Sequence, residues 1–97
     1  MTWSPEGQSV VDEQGREVML TAARWKHITD GHPELKAFRK EVLRAAQAPT
    51  RRGPGHRPNE EWCALQAVGP SSWLKVVIVY EEGRGHVVTA FARRSLP

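Results

Sequence analysis

Three apolar runs near the end of the chain most constrain its fold. They read EWCALQA (61–67), WLKVVIVY (73–80) and HVVTAFAR (86–93), and only the short segments VGPSS and EEGRG separate them. Their β-branched and aromatic residues favour extended structure. Connections this short can join only antiparallel neighbours. The runs therefore predict a three-stranded antiparallel meander.

A hairpin and a short helix are predicted before the meander. The segment SVVDEQGREVML places apolar residues on both sides of a polar turn at Glu13 to Gly15, which is typical of two short strands. Thr21 can accept a hydrogen bond as the N-cap of a helix over residues 22–30. Gly31 would then end that helix in the positive-φ conformation that glycine adopts most readily.

A second helix is predicted from Pro33 to about Ala48. Proline suits the first turn of a helix because its missing N–H has no intrahelical partner there. Apolar residues then recur at helical spacing, namely Leu35, Phe38, Val42 and Ala46. The stretch APTRRGPGHRPNE (48–60) is predicted as an irregular loop. The expected fold is α+β, with the N-terminal hairpin and two helices packed on one face of an antiparallel β-meander.

Composition indicates one small domain over residues 1–97 with a polyanionic partner. Residues 23–58 hold nine bases and three acids, a balance that suits a polyanion, although a solvated helix face would have the same charge. No apolar run reaches the ~18 residues of a membrane helix, and we expect no membrane partner. The first residues lack the basic and apolar regions of a secretory leader, so we expect none. Cys63, in an apolar strand, is the one cysteine. We therefore expect a cytoplasmic location and a packed core thiol.

Alternation along the strands divides the sheet into an apolar face and a mixed face. If Ala67 pairs with Leu74, the apolar face carries Cys63, Leu65, Ala67, Leu74, Val76 and Ile78, and the helices should cover it. The other face carries Trp62, Gln66, Lys75, Val77 and Val79. A five-residue turn at EEGRG places Thr89 opposite Val77 and adds Val87, Phe91 and Arg93 to this open face.

The open face has the side chains of a single-stranded nucleic-acid site. An unpaired ammonium is costly to bury, so Lys75 should face solvent or an anion. Trp62 and Phe91 could stack bases, while Arg93 and Thr89 could hold phosphates. The alternative interpretation is a half-exposed sheet with incidental polar residues.

The segment RWKHITDGHPEL contains two of the four histidines of the chain. His27 lies nearly opposite Trp25 on the first helix, so it is outside the apolar stripe. His32 precedes Pro33 and could cap the turn into the second helix. Their spacing differs from the i, i+4 of helical zinc pairs, and no adjacent motif completes a ligand set. We expect no metal and no cofactor, whereas acid/base chemistry by imidazole stays open.

The segments WKHI and HPEL, WLKVVIVY and VVTAF resemble the phage-type barnase/EndoU/colicin/RelE-like (BECR) nuclease domains over roughly residues 20–94. The resemblance implies N-terminal helices on an antiparallel sheet whose free face holds the active site. It also implies metal-independent RNA cleavage, in which the ribose 2′-OH attacks the adjacent phosphate and leaves a 2′,3′-cyclic phosphate. By matching motif, the catalytic candidates are His27, Lys75 and Thr89, with His32 part of the same signature.

The leading hypothesis is a small ribonuclease of the toxin or phage-effector type, with a possible cognate antitoxin or immunity protein. A histidine, preferably His27, exchanges protons, Lys75 stabilises the transition-state charge, and three arginines guide the strand, namely Arg51, Arg52 and Arg57. The alternatives are a non-catalytic nucleic-acid-binding module and a protein-interaction domain that docks through its aromatic residues. One conflict is evident: helix one should cover the apolar face, so His27 can reach Lys75 only around a sheet edge.

Overall fold

Between residues 7 and 96 the protein folds into a mixed six-stranded sheet and two α-helices. The computed structural model describes residues 7–96. The elements in chain order are β1 (Gln8–Val11), β2 (Glu17–Leu20), α1 (Ala22–Gly31), a 3-10 turn (Pro33–Leu35), α2 (Arg39–Gln47), β3 (Arg51–Pro54), β4 (Glu60–Gln66), β5 (Trp73–Glu81) and β6 (Arg84–Arg93). The strand order is β1-β2-β6-β5-β4-β3. The α+β class and the antiparallel pairing of β4, β5 and β6 are confirmed.

The N-terminal hairpin extends the sheet beside β6 and makes it mixed, which corrects the prediction that this hairpin packs with the helices on one face of the meander. β1 and β2 pair antiparallel as expected. β2 then pairs in parallel with the first residues of β6, and α1, which follows β2 directly, also contacts β6. A parallel pair needs a long crossover between its strands. Residues 21–83 supply that crossover, and no local pattern within β2 could have indicated it.

Helix α1 begins as predicted but ends differently. The Thr21 side chain accepts a hydrogen bond from the Arg24 N–H at 3.0 Å, as an N-cap does. The helix extends through Gly31, which has no positive φ, so the prediction for its conformation was wrong. His32 is the C-cap at φ −135° and ψ 70°. Pro33 explains this end, because the residue before a proline is driven out of helical geometry.

The second helix is shorter than predicted. Pro33–Leu35 form a single 3-10 turn, and α2 begins only at Arg39 because Phe38 leaves helical geometry at φ −116° and ψ 24°. Turns opened by proline often close with i→i+3 hydrogen bonds, and Lys36 N–H donates such a bond to the Pro33 carbonyl at 3.2 Å. The apolar stripe is nevertheless confirmed. Its members Leu35, Val42 and Ala46 are buried, and Phe38 packs against the core.

The core lies between the helices and one face of the sheet, as expected. Cys63, Leu65, Leu74, Val76 and Ile78 are buried in the same cluster as Val42, Leu43 and Ile28 of the helices. The register differs by two residues from the predicted one, since Leu65 rather than Ala67 pairs with Leu74. A shift of two leaves the paired side chains of β4 and β5 on their predicted faces. Ala67 itself is exposed in the turn at φ 58°.

Two details of the sheet were not predicted. β3 forms within the stretch predicted as irregular and pairs antiparallel with β4. It is an edge strand, where proline is tolerated, so its Arg, Gly and Pro content concealed it. A β-bulge also interrupts the β5–β6 ladder: Val77 pairs with Thr89 as predicted, but Ile78 pairs with Val87. Val87 therefore lies in the core, 3% exposed, rather than on the open face.

An ionic network closes one end of the helix-covered face. Asp12 Oδ2 accepts hydrogen bonds from Tyr80 OH at 3.0 Å and from Arg16 Nε at 2.9 Å. The Arg16 guanidinium lies 3.6 Å from the Tyr80 ring centroid and donates to both oxygens of Glu61, at 3.0 and 3.1 Å. Arg52 Nη2 donates to Glu61 at 2.6 Å. The network thus ties the β1–β2 turn to β3, β4 and β5. Within residues 7–96 we find no helix with the length and apolarity to cross a membrane.

Candidate nucleic-acid interface

The sheet face opposite the helices carries a cavity of about 650 Å³. The strand register brings Trp62, Val77 and Thr89 into one row across β4, β5 and β6, and Lys75 and Phe91 into the next. The cavity is lined by these residues together with Pro54, Gly55, His56, Glu60, Val88 and Arg93. The residues predicted for the open face from alternation, Trp62, Lys75, Thr89, Phe91 and Arg93, therefore line one cavity.

Lys75 is the most buried side chain that lines this cavity. It is 9% exposed, and its Nζ lies 5.3 Å from the Trp62 ring centroid and 5.9 Å from that of Phe91. Burial and the charge of Arg93 lower the pKa of Lys75, which Glu60 partly opposes. Its Nζ forms no hydrogen bond or ion pair with any residue between 7 and 96. The ammonium is thus held by two aromatic rings and faces the cavity.

The position of Trp62 depends on a glycine of the neighbouring strand. Gly53 pairs with Trp62 across β3 and β4. A Cβ atom at Gly53 would lie 2.6 Å from Cζ2 of the indole, closer than any real side-chain contact. Gly53 therefore leaves the space that the Trp62 ring occupies, and this ring in turn forms one wall around the Lys75 ammonium.

Replacing Gly53 with alanine should displace the Trp62 ring. Overpacking of this kind costs about 1–3 kcal/mol of unfolding free energy, and we expect a changed near-ultraviolet circular dichroism spectrum together with a lower midpoint in urea. The matched control is Gly31→Ala, because Gly31 lies in a helix without positive φ and with nothing within 4 Å of an added Cβ. That control should be neutral or slightly stabilising. Equal midpoints for the two variants would contradict the packing role of Gly53.

Two groups able to exchange protons enter the cavity from the turn between β3 and β4. Glu60 is half-buried and His56 is exposed, and both line the cavity. Glu60 Oε2 accepts a hydrogen bond from the His56 backbone N–H at 2.8 Å, which fixes the carboxylate against the turn. Gly55 makes room for Glu60, whose side chain occupies the space that a Cβ would need. Neither residue was predicted as part of the site, although Glu60 lies two residues before Trp62 and therefore shares its face by alternation.

The two histidines of RWKHITDGHPEL lie in different surroundings. His27 is exposed on α1 and borders a separate shallow depression with Thr21, Ala23 and Arg24. The structure does not bring it to the cavity, as the geometric conflict indicated. His32 does not line the cavity, but its ring centroid lies 6.1 Å from that of Phe91, which does. Its Nδ1 is 3.4 Å from a Glu34 carboxylate oxygen.

The three predicted guiding arginines separate in the structure. Arg51 is exposed and pairs with Ala64, which pairs with Lys75, so its side chain lies on the open face. Arg57 is exposed in the turn beside His56. Arg52 lies on the helix-covered face and binds Glu61, so its prediction as an RNA contact needs correction. Strand alternation explains the difference, but it applies only once β3 is recognised as a strand.

Cysteine and metal chemistry have little support among the described residues. Cys63 is buried as predicted, and burial raises the pKa of its thiol to about 11, which disfavours the thiolate. Between residues 7 and 96, no three His, Cys, Asp or Glu side chains lie together in a group that could hold a metal ion. The cavity therefore offers amine, guanidinium, imidazole, carboxylate and hydroxyl groups for chemistry.

The chain matches no protein-family model, no curated protein and no solved structure in the three comparisons made.

Proposed function

We propose that this protein is a metal-independent endoribonuclease with a BECR-like fold that binds single-stranded RNA in the open-face cavity. The observation that carries the proposal is Lys75, whose side chain is 9% exposed, has two aromatic neighbours and forms no ion pair with a carboxylate of residues 7–96, although Glu60 lies in the same cavity. Burying an unpaired charge is costly. An anionic ligand at the cavity would offset that cost, which gives the lysine a function rather than a structural role.

The neighbours of Lys75 favour a phosphodiester as the anion. Arg93 adds a second positive charge close enough to lower the Lys75 pKa, and an anion between the two would relieve their repulsion. The Thr89 hydroxyl lines the same cavity and can donate to a non-bridging oxygen. Two cations and one hydroxyl around an open cavity match the three requirements of a phosphate site: charge, hydrogen bonding and access.

The aromatic residues favour a single strand. Trp62 and Phe91 line the cavity on either side of Lys75, and base stacking on aromatic rings needs bases that are not paired in a duplex. The similarity to BECR nucleases supports RNA, because their chemistry uses the ribose 2′-OH. The basic residues Arg51 and Arg57 at the margin would attract the polyanion.

The cavity contains groups for each step of the proposed reaction. A base removes the proton of the 2′-OH as its oxygen bonds to phosphorus, and the bond from phosphorus to the 5′ oxygen breaks as an acid protonates that oxygen. The products are a 2′,3′-cyclic phosphate and a 5′-hydroxyl. We assign the base to Glu60 and the acid to His56, because these two share the cavity with Lys75. Lys75 and Arg93 stabilise the charge of the phosphorane.

The test is cleavage of a generic single-stranded RNA in EDTA, with analysis of the product ends. We expect 2′,3′-cyclic phosphate and 5′-hydroxyl ends, and a loss of activity of roughly 10²- to 10³-fold in Lys75→Met. Methionine keeps the apolar stem and removes the buried charge, so the variant should be as stable as the wild type or more stable. Greater stability with lower activity is the result expected of a functional lysine.

Three outcomes would contradict this proposal. Loss of cleavage in EDTA would contradict the metal-independent mechanism, and a 3′-hydroxyl product would contradict attack by the 2′-OH. Full activity in Lys75→Met would show that Lys75 and its cavity are not the site of cleavage. RNA binding without any product, with the strong salt dependence of phosphate contacts, would instead indicate a non-catalytic RNA-binding module that uses the same surface.

A further inference from the structure

The open face continues past the cavity by one row of side chains. Trp73 lies two residues before Lys75 on β5 and therefore points to the same face. It pairs with Gln66 of β4 on one side and with Arg93 of β6 on the other. Two residues of a strand span about 6.8 Å. Trp73 thus lies one short step beyond Lys75, outside the cavity but next to its Arg93 end.

The surroundings of Trp73 are polar, basic and accessible. Trp73 is half-buried, whereas Gln66 and Arg93 are exposed. Arg51 lies on the same face and is exposed in the adjacent row. Neither Arg51 nor Arg93 forms an ion pair with a described residue. A large aromatic ring with two unneutralised guanidinium groups nearby is the combination that holds a nucleotide by stacking and by phosphate contact.

We propose that Trp73 forms a second base-stacking position, which binds the nucleotide adjacent to the two that flank the scissile phosphate. This inference rests on the proposed RNA function and specifies its substrate. The protein should then act on oligonucleotides rather than on dinucleotides, and the third nucleotide should contribute through Trp73 and through Arg93, which joins the two positions. The row formed by Gln66, Trp73 and Arg93 contains no acidic side chain that would repel the RNA strand.

The experiment compares kcat/KM for a dinucleotide and for two tetranucleotides, one extended on the 5′ side and one on the 3′ side of the scissile bond. Trp73→Ala should reduce kcat/KM roughly 5- to 150-fold for one of the extended substrates and leave the dinucleotide unchanged. The extended tetranucleotide whose cleavage is slowed shows whether the 5′ or the 3′ side of the RNA lies over Trp73. Trp73→Phe keeps a stacking ring and should recover most of the loss, whereas Trp73→Leu keeps apolar bulk without a ring and should not.

A second measurement separates this inference from the proposed function. The same oligonucleotides with 2′-deoxyribose cannot react, so their affinities report binding alone. Wild-type affinity should rise with length, and the Trp73→Ala variant should lose that rise. If the wild type cleaves no RNA but shows this Trp73-dependent rise, the nuclease function fails while the stacking position is retained. An equal loss on all substrates, or no loss on either extended one, would overturn the stacking position.

Discussion

Glu60→Gln and His56→Ala should each lower kcat for RNA cleavage by about 10²- to 10⁴-fold, the range usual for loss of a general base or acid. Glutamine can still accept the hydrogen bond that Glu60 takes from the His56 backbone N–H, so the turn should keep its shape. RNA affinity should therefore change little, because Lys75 and the aromatic residues still bind the strand. The measurements are single-turnover rates and equilibrium binding with a 2′-deoxy analogue.

The pH profile of Lys75→Met tests the role of the ammonium. Burial and the charge of Arg93 lower the pKa of Lys75, so the wild-type rate should fall at high pH as the ammonium loses its proton. Lys75→Met should lack this fall. The control is Glu81→Gln, an exposed carboxylate on β5 that does not line the cavity, and it should keep the wild-type profile. The same alkaline fall in the wild type and in Lys75→Met would refute the role of the Lys75 charge, and unchanged kcat in Glu60→Gln and His56→Ala would refute the assignment of base and acid.

His27→Ala decides between the sequence-based and the structure-based assignment of the acid/base group. The motif resemblance requires a loss of activity, because it carries the catalytic histidine to His27. The geometry requires none, because His27 borders a different depression on α1. A large loss of kcat in His27→Ala with full activity in His56→Ala would restore the motif-based prediction and would require the RNA to bridge the two depressions.

Alternation with a period of two explains why most cavity residues could be predicted from sequence. Trp62, Lys75, Thr89, Phe91 and Arg93 belong to strands with one apolar face, so a register error of two residues did not change the face of any of them. The prediction for Val87 was wrong because the register changes by one residue within β6. The bulge between it and Thr89 inserts one residue into β6, which reverses the face of everything before it. Nothing in HVVTAF indicates that insertion.

The residues missed or misassigned depend on contacts between distant segments. Glu60 and His56 reach the cavity because β3 pairs with β4 and folds the turn over the sheet, and that pairing was concealed by an Arg- and Gly-rich edge strand. Arg52 depends on Glu61 and on the β1–β2 turn, far away in sequence. The spacing of residues within a motif does not reveal contacts between distant segments. The contact between Gly53 and Trp62 could not be predicted for the same reason, because it depends on the register of β3 and β4.

Arg16→Met should have the largest effect on stability, a loss of about 2–4 kcal/mol of unfolding free energy. Removing one partner of a buried ion pair leaves the other charge without compensation. Here Arg16 compensates Asp12, whose side chain is 2% exposed, and binds both oxygens of Glu61. Methionine preserves the apolar stem, so the loss reports the guanidinium. Chemical denaturation at pH 7 measures it, and Tyr80→Phe, which removes a single hydrogen bond to Asp12, should cost only about 0.5–1.5 kcal/mol.

The same network predicts how stability depends on pH. The hydrogen bonds from Arg16 hold the pKa of Glu61 below its usual value, and for Asp12 the opposing effect of burial is outweighed by hydrogen bonds from Arg16, Tyr80 and Gln14. A carboxylate with a depressed folded-state pKa stabilises the fold above its unfolded pKa of about 4, and this contribution is lost as the pH falls through the folded-state value. The wild type should therefore lose stability steeply below about pH 4. Arg16→Met should show a shallower fall, because it has already lost that contribution, so the two stability curves should converge at low pH. Parallel curves would mean that the arginine stabilises the fold by packing on the Tyr80 ring rather than through the two carboxylates.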